Sequence, residues 1–418
     1  MFMSDSVSIN SLENGLILLH DYCKNMQTVA VRLLVRFGTR YEREKFGMAH
    51  FIEHMMFKGT NKRNYKQIAI EVEQIGADLN AYTSKEHTVY TINVLKDYLP
   101  TALEILSDLI VNSTFHQQEV DKERNVILQE IAECIDDPEE YLFDQFSDLC
   151  FKNQPMGHNI LGTPESLKEI TRDDLIATKE RYYNAQNILI SIAGEVELKS
   201  IVDLLNKNFG NLSLGNKEDF ELAQFTPGAI MLNRELEQSH VLIGLESVSY
   251  NHPQFYSQQL FSMILGGGMS SRLFQEIREQ RGLAYHVSSF TTSYPDIGIF
   301  GVNASSLSDN LETLITVMID VIKSMRDIEE EELNRVKQQF KASSLMAQDS
   351  VSFRAEYLLN SYIKYHKIIP ISQIVAKVTK ISKSEVEDYY HFLKQSKIAL
   401  GIIGNNNKDE YYNLINLT

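Results

Sequence analysis

Two stretches of this chain, 211 residues apart, repeat one another, and the repeat limits the fold more than any other feature. The first, ITRDDLIATKERYYNAQNILISIAG, runs from Ile170 to Gly194; the second, ISKSEVEDYYHFLKQSKIALGIIG, runs from Ile381 to Gly404. Each opens on Ile and a hydroxyl residue suited to capping a helix, Thr171 or Ser382. Each continues through a polar helical pattern with a tyrosine pair, Tyr182–Tyr183 or Tyr389–Tyr390, and ends in an apolar strand closed by Gly. The Ile-to-Gly spacings are 24 and 23 residues. A unit of this length closing both halves implies two homologous domains of about 200 residues each. The length of 418 residues also exceeds one ordinary domain. The expected boundaries are an N-terminal domain at 1–210, a linker at 211–228 and a C-terminal domain at 229–418. The linker reads NLSLGNKEDFELAQFTPG, with weak periodicity and turn formers at each end.

Both domains mix strands and helices. From Thr28 to Phe37, Val29, Val31, Leu33, Val35 and Phe37 alternate with positions that include Arg32 and Arg36, the pattern of a half-buried strand. Helical periodicity starts at about Gly47 and again from Gln117 to Ile135. Asp78–Thr83 and Thr88–Val94 read as strands joined by the short turn SKEH. The second half opens with a strand from Ser239 to Glu246. These patterns predict an α+β fold, each domain carrying a mixed or antiparallel sheet covered by helices.

The formal net charge is -16, from 40 Lys and Arg against 56 Asp and Glu. With no compensating basic run, such a chain repels nucleic-acid phosphates and anionic membrane surfaces and favours basic peptides. The three cysteines, Cys23, Cys134 and Cys150, show no regular spacing and fit a reducing compartment. The N-terminus has no basic start, its apolar cluster Leu16–Leu19 is short, and no apolar run reaches the length of a membrane span. A cytoplasmic location is the expectation. Gly266-Gly267-Gly268 lacks both a phosphate-loop Lys and a GxGxxG frame and predicts no nucleotide site.

The segment His50-Phe51-Ile52-Glu53-His54 carries the sharpest chemical signal. On a helix His50 and His54 lie one turn apart on one face and can offer two imidazole nitrogens to one metal ion. Glu53 sits beside them, within reach of a proton on a metal-bound water. Two imidazoles and a carboxylate suit zinc. The order H-x-x-E-H is that of the inverted zincins. A third ligand is needed, and spacing alone leaves Glu119, Glu130 and Glu133 open.

Several segments together resemble the pitrilysin and mitochondrial-processing-peptidase family. They are HFIEHMMFKGT (His50–Thr60), LNAYTSKEHTVY (Leu79–Tyr90), ERNVILQEI (Glu123–Ile131), GHNILGTPESL (Gly157–Leu167) and GGGMSSRLFQEIREQRGLAY (Gly266–Tyr285). The resemblance covers nearly the whole chain, with the motifs in order. It implies one Zn2+ per chain held by His50, His54 and Glu130, with Glu123 as a supporting carboxylate and Glu53 as general base on zinc-bound water. It further implies that Arg278 and Tyr285 bind substrate and stabilise the tetrahedral intermediate. Leu79–Thr83 resembles an edge strand on which peptides lie, with Asn80 and Ala81 nearest the scissile bond. Glu140 and Asp144 resemble acids that recognise an Arg near the cleavage site. His87, His158 and His286 read as structural.

The second half has no HxxEH, carries Gln258 and Gln259 in the matching region, and sets Ser343 opposite Glu130; it is expected to bind no zinc. The resemblance implies a zinc endopeptidase that cuts unfolded peptides, presequence-like basic ones among them, in a closed chamber. Four such domains enclose that chamber in the family's large single-chain members. Two are present here, so a homodimer is the simplest completion, with a non-catalytic relative as a possible heterodimeric partner. The rival expectation is a non-catalytic peptide-binding or scaffold subunit.

Overall fold

The structure, a computed structural model, describes residues 6–405 and 408–417. The chain divides into two compact units. One runs to Ala132 and adds His158–Glu221 and Leu345–Pro370; the other comprises Glu133–Gly157, Leu222–Ser344 and the chain from Ile371 onward. Among the described residues, each unit is built on one sheet.

The first sheet contains β1 (Val7–Ser11), β2 (Ile17–Tyr22), β3 (Thr28–Val35), β4 (Asp78–Thr83), β5 (Thr88–Leu95) and β6 (Ile188–Gly194). Their spatial order is β1-β2-β6-β3-β5-β4. β2 and β6 run parallel and the other neighbours antiparallel. Successive side chains of a strand point to opposite faces, and β3 uses both. Val29, Val31, Leu33 and Val35 join the main core with Phe51, Ile52, Leu103 and Leu106 from the helices Met48–Met56 and Leu99–Asn112. Leu34 packs instead with Leu19, Val89 and Leu189 against Leu358 and Leu359 of the helix Val351–Tyr365, and Ala30 packs with Ala193 against Val351 and Ala355. Ser191 Oγ donates to the Ala355 carbonyl at 2.8 Å, and Arg354 grips Asp21 through bonds of 2.7 and 3.0 Å. The strand expected to be half-buried is therefore covered on both faces. Arg32 is 6% exposed and lies 3.6 Å from Glu356.

The second sheet contains β7 (Gly228–Asn233), β8 (Gln238–Ser247), β9 (Val287–Ser293), β10 (Gly298–Leu307) and β11 (Ile398–Gly404). Its order, β7-β11-β8-β10-β9, repeats β2-β6-β3-β5-β4 strand for strand, including the parallel pair. Sequence patterning singled out neither β7, whose first residue closes the expected linker, nor β1, β2, β9 and β10. The helix Pro138–Cys150 packs against β7, β8 and β11. Its Phe146 ring sits where a Cβ on Gly244 would come within 2.6 Å, so the two glycines Gly244 and Gly401 make room for the aromatic ring in mid-sheet.

The two repeat blocks form matching elements. Thr171 and Ser382 cap their helices in reciprocal boxes with Asp174 and Glu385, and all four tyrosines of the two pairs are buried. The compact units nevertheless differ from the contiguous halves 1–210 and 229–418. Residues 133–157 pack with the second unit and 345–370 with the first. The physical reason is that each sheet has two apolar faces, while the helices near it in sequence cover one.

Candidate metal centre

The helix Met48–Met56 begins abruptly. Gly47 has φ +86°, a conformation costly for any residue with a Cβ. A Cβ there would also lie 2.6 Å from the Leu161 carbonyl oxygen. The first N–H groups of the helix are taken up by the buried Glu42 carboxyl, which accepts from Gly47 N at 2.9 Å and Ala49 N at 2.8 Å. Phe51, Ile52, Met55 and Met56 then point into the core, which fixes the rotation of the helix.

On the same helix the rings of His50 and His54 lie 4.5 Å apart. The long helix Gln117–Asp136 brings Glu130 to them. His50 Nε2 is 3.7 Å from Glu130 Oε1, and His54 Nε2 is 3.5 Å from Glu130 Oε2. Ligand atoms held tetrahedrally at about 2.0–2.2 Å from zinc stand roughly 3.4 Å from one another, so the donor set fits a zinc ion. Among the described residues this is the one cluster of three His, Cys, Asp or Glu groups whose ligand atoms all lie within 4.8 Å of one another.

Glu123 is two turns earlier on the long helix and 4% exposed. Its Oε2 accepts from His54 Nδ1 at 3.1 Å and its Oε1 from Lys58 Nζ at 2.7 Å. The His54 proton is thereby placed on Nδ1, leaving Nε2 as the ligand atom. His50 has no equivalent; its Nδ1 is buried without a hydrogen-bond partner. Burial pushes His50 down to about 4, helped by His54 and opposed by Glu130, so the ring is neutral and ready to ligate. Burial also lowers His54, but the bonds from Glu123 and Glu130 outweigh it and bring His54 up to about 9. Glu123 at Nδ1 and Glu130 at Nε2 together favour positive charge on the ring, a demand that a divalent cation at Nε2 would meet in place of the proton.

Glu53 is 9% exposed and accepts at Oε2 from Thr83 Oγ1 at 2.6 Å. Burial raises its pKa, against the Thr83 bond that lowers it. Thr83 ends β4, the edge strand that also carries Asn80 and Ala81. Asn80 is exposed, and its side-chain oxygen accepts from Ala81 N at 2.8 Å.

The remaining expected residues lie in the second unit. Arg278, on a π-helical turn Phe274–Gln280, stacks over the Tyr285 ring at 4.5 Å and the Phe274 ring at 4.7 Å. Tyr285 is 78% exposed. Glu140 and Asp144 are one turn apart on Pro138–Cys150, and Asp144 Oδ2 accepts from Cys134 Sγ at 3.2 Å. All three cysteines are buried thiols. In the region matching the motif helix, Gln258 is fully buried and Gln259 Nε2 donates to Thr291 Oγ1 at 2.9 Å. The Ser343 hydroxyl donates within its own helix to the Phe340 carbonyl.

Two family models match the chain. Residues 19–164 match "Insulinase (Peptidase family M16)" and residues 169–340 match "Peptidase M16 inactive domain". An "uncharacterized zinc protease" of Rickettsia felis is 38% identical over 407 residues, covering 97% of this chain and 99% of that protein. The chain belongs to peptidase family M16. An "uncharacterized zinc protease" of Bacillus subtilis is 30% identical, covering 94% of this chain and 96% of that one. A "probable mitochondrial-processing peptidase subunit beta" of Arabidopsis thaliana is 31% identical, covering 95% and 78%. The M16 fold is shared with two crystal structures of low sequence identity. A peptidase M16 inactive domain from Pseudomonas fluorescens has a TM-score of 0.90 at 19% identity, covering 96% of this chain and 98% of that one. A protease from Helicobacter pylori has a TM-score of 0.88 at 20% identity, covering 95% and 99%. The M16 relatives' names support a metallopeptidase role with zinc as the metal.

Sequence reasoning did not single out three residues that brace the candidate centre: Glu42 at the start of its helix, Lys58 on Glu123 and Thr83 on Glu53. Glu42 and Glu44 both precede Gly47, and nothing in the sequence tells which one is buried at the helix start. Thr83 and Lys58 carried no signal either, since nothing in their spacing ties them to Glu53 or Glu123. Among the described residues, no helix is long and apolar enough to cross a membrane.

Proposed function

We propose that the chain is a zinc-dependent endopeptidase that hydrolyses unfolded peptides, including basic, presequence-like ones, inside a closed chamber. The observation that carries this reading is the convergence of His50, His54 and Glu130 beside a buried Glu53. Those three residues would hold one Zn2+ per chain, which when bound supplies Lewis acidity and lowers the pKa of water to roughly 7. Glu53, with Oε2 held by Thr83, takes up a proton at Oε1 and passes it to the leaving amine. Glu123 orients His54. An extended peptide pairs with the free edge of β4 at Asn80 and Ala81, a contact that reads backbone and so tolerates many sequences. The Arg278 guanidinium holds a peptide carbonyl, and the Tyr285 hydroxyl donates to the developing oxyanion. Glu140 and Asp144 attract a basic side chain. A second copy completes the chamber, each site joining the zinc ligands of one copy with Arg278 and Tyr285 of the other.

A second reading is a non-catalytic subunit of a heterodimeric processing peptidase. It is favoured by the Arabidopsis relative's description as a subunit and by the "inactive domain" model over residues 169–340. One assay separates the two. Purified protein should cleave a quenched basic peptide, lose cleavage with chelator and regain it with Zn2+. Glu53→Gln should lose at least about 100-fold in rate, the low end for a general base, while retaining one zinc per chain. Absence of cleavage by the zinc-loaded wild type supports the subunit reading, and a wild-type rate in Glu53→Gln overturns the mechanism. Mixing Glu53→Gln with Tyr285→Phe chains should restore part of the activity; no recovery counts against the shared site.

A further inference from the structure

Where the C-terminal end of the helix Leu99–Asn112 meets the helix Arg172–Tyr182, the first unit forms a solvent-open cavity of about 640 Å³ that shares no residue with the metal centre. Three basic side chains line it, His116, Arg172 and Lys179. Backbone carbonyls hold two of them in place. Arg172 Nε donates to Phe115 O at 2.6 Å and its Nη2 to Thr114 O at 3.2 Å, while Lys179 Nζ donates to Val111 O at 3.0 Å. A carbonyl fixes the position of a cation but cancels little of its charge.

The acids nearby are poorly placed to cancel it. Asp173 approaches Arg172 Nη1 at 3.9 Å with a side chain 94% exposed, and Glu180 on the rim is exposed. Ion pairs of that kind contribute little. Elsewhere in the same unit sheltered cations meet carboxylates directly, as in Arg354–Asp21 at 2.7 Å and Arg63–Asp108 at 2.8 Å. A local positive excess in a chain of net charge -16 is therefore a feature of this cavity. The wall is also strained. Phe115, a core aromatic between the lining residues Thr114 and His116, sits at φ +47°, a conformation rare for a bulky side chain, and its carbonyl accepts from Arg172. Burial pulls Lys179 down to about 8, with Glu180 opposing the fall. The space far exceeds a bare oxyanion and lies within the range of about 300–1,000 Å³ typical of small-molecule sites. Its remaining lining includes Ile110, Ile176 and Leu212.

We propose that this cavity binds a small organic anion, its carboxylate or phosphate group meeting Arg172 and Lys179 and its compact apolar body meeting the half-buried Ile176 and Leu212.

Lys179 itself reports occupancy. Full-length protein would be acylated with an N-hydroxysuccinimide ester at pH 8 and fixed ionic strength, and modification of Lys179 read by peptide mass spectrometry. Phenyl phosphate or benzoate should protect Lys179 at a concentration at least tenfold below that needed for inorganic phosphate, and neutral benzamide should not protect. Whichever of the first two acts at lower concentration identifies the head group. Arg172→Gln should raise the protecting concentration tenfold or more. Because Arg172 also braces the 114–115 carbonyls, Ser213→Trp provides the second variant. Ser213 lines the cavity, is exposed and hydrogen-bonds through its backbone carbonyl, so an indole there should take up cavity space without unfolding the chain, and protection should vanish while the melting temperature holds. Equal protection by benzamide, protection that survives Ser213→Trp, or acylation of Lys179 unaffected by every anion would overturn the proposal.

Discussion

Glu123 keeps its charge although buried, because His54 and Lys58 both donate to it. Their bonds outweigh the burial that would raise its pKa and hold it below the usual carboxylate range. Replacing it with Gln keeps the shape but leaves Lys58 without its anion and weakens the acceptor that orders the His54 ring. Supporting carboxylates of this kind are typically worth about 10–100-fold in metal affinity. Zinc competition with a chelating dye should show a loss in that range for Glu123→Gln and none for Glu53→Gln. Unchanged affinity in Glu123→Gln would remove Glu123 from the site. At this scale the sequence was uneven. His50, Glu53 and His54 were legible because helical spacing places them on neighbouring positions of one turn. Glu130 needed the family resemblance, because the register of one helix against another is set by core residues such as Ile127 and Ile131, which pack beside Phe51 and Ile52 in the same core.

The start of the motif helix depends on Glu42, a carboxyl that burial pushes up to about 8 against the backbone bonds that lower it. Its folded pKa lies above the ordinary value of 4.5, so the stability it contributes is full below about pH 4.5 and is lost as pH rises through 8. Glu42→Gln has no such titration, but it sets an amide N–H₂ against one of the N–H groups of Gly47 or Ala49. The variant should melt well below wild type at pH 5, and the gap should narrow steadily towards pH 8 in parallel thermal scans. A gap that stays constant or widens would mean that Glu42 is ionised throughout. Elements with a clear period were read within a residue or two: the 78–83 and 88–95 hairpin and the long helix from Gln117. The second face of β3 was not, because a strand carrying Arg32 reads as solvent-facing unless a distant helix supplies Glu356.

At the scale of the molecule, the repeat revealed two homologous units and concealed the exchange of segments between the halves. The first unit holds Asp21 at 0% exposure with Arg354 as its partner, and buries Leu19, Leu34 and Leu189 under Leu358 and Leu359. A fragment ending at residue 221 lacks all of 345–370. It would leave Asp21 without its cation, a change that costs about 3–5 kcal/mol for a buried pair. Each uncovered leucine forfeits about 1.5–3 kcal/mol more. Together these losses match the whole stability of an ordinary domain, about 5–15 kcal/mol. The fragment should therefore show no cooperative melt and should bind a dye specific for exposed apolar surface. Appending residues 345–370 through a flexible linker should restore one sharp transition and, with it, zinc binding at His50, His54 and Glu130. A cooperative melt in the short fragment would show that the exchanged helix is an accessory to the first unit. Failure of the extended fragment to bind zinc while melting cooperatively would instead place the missing determinant in residues 222–344 or 371–418, which that fragment lacks.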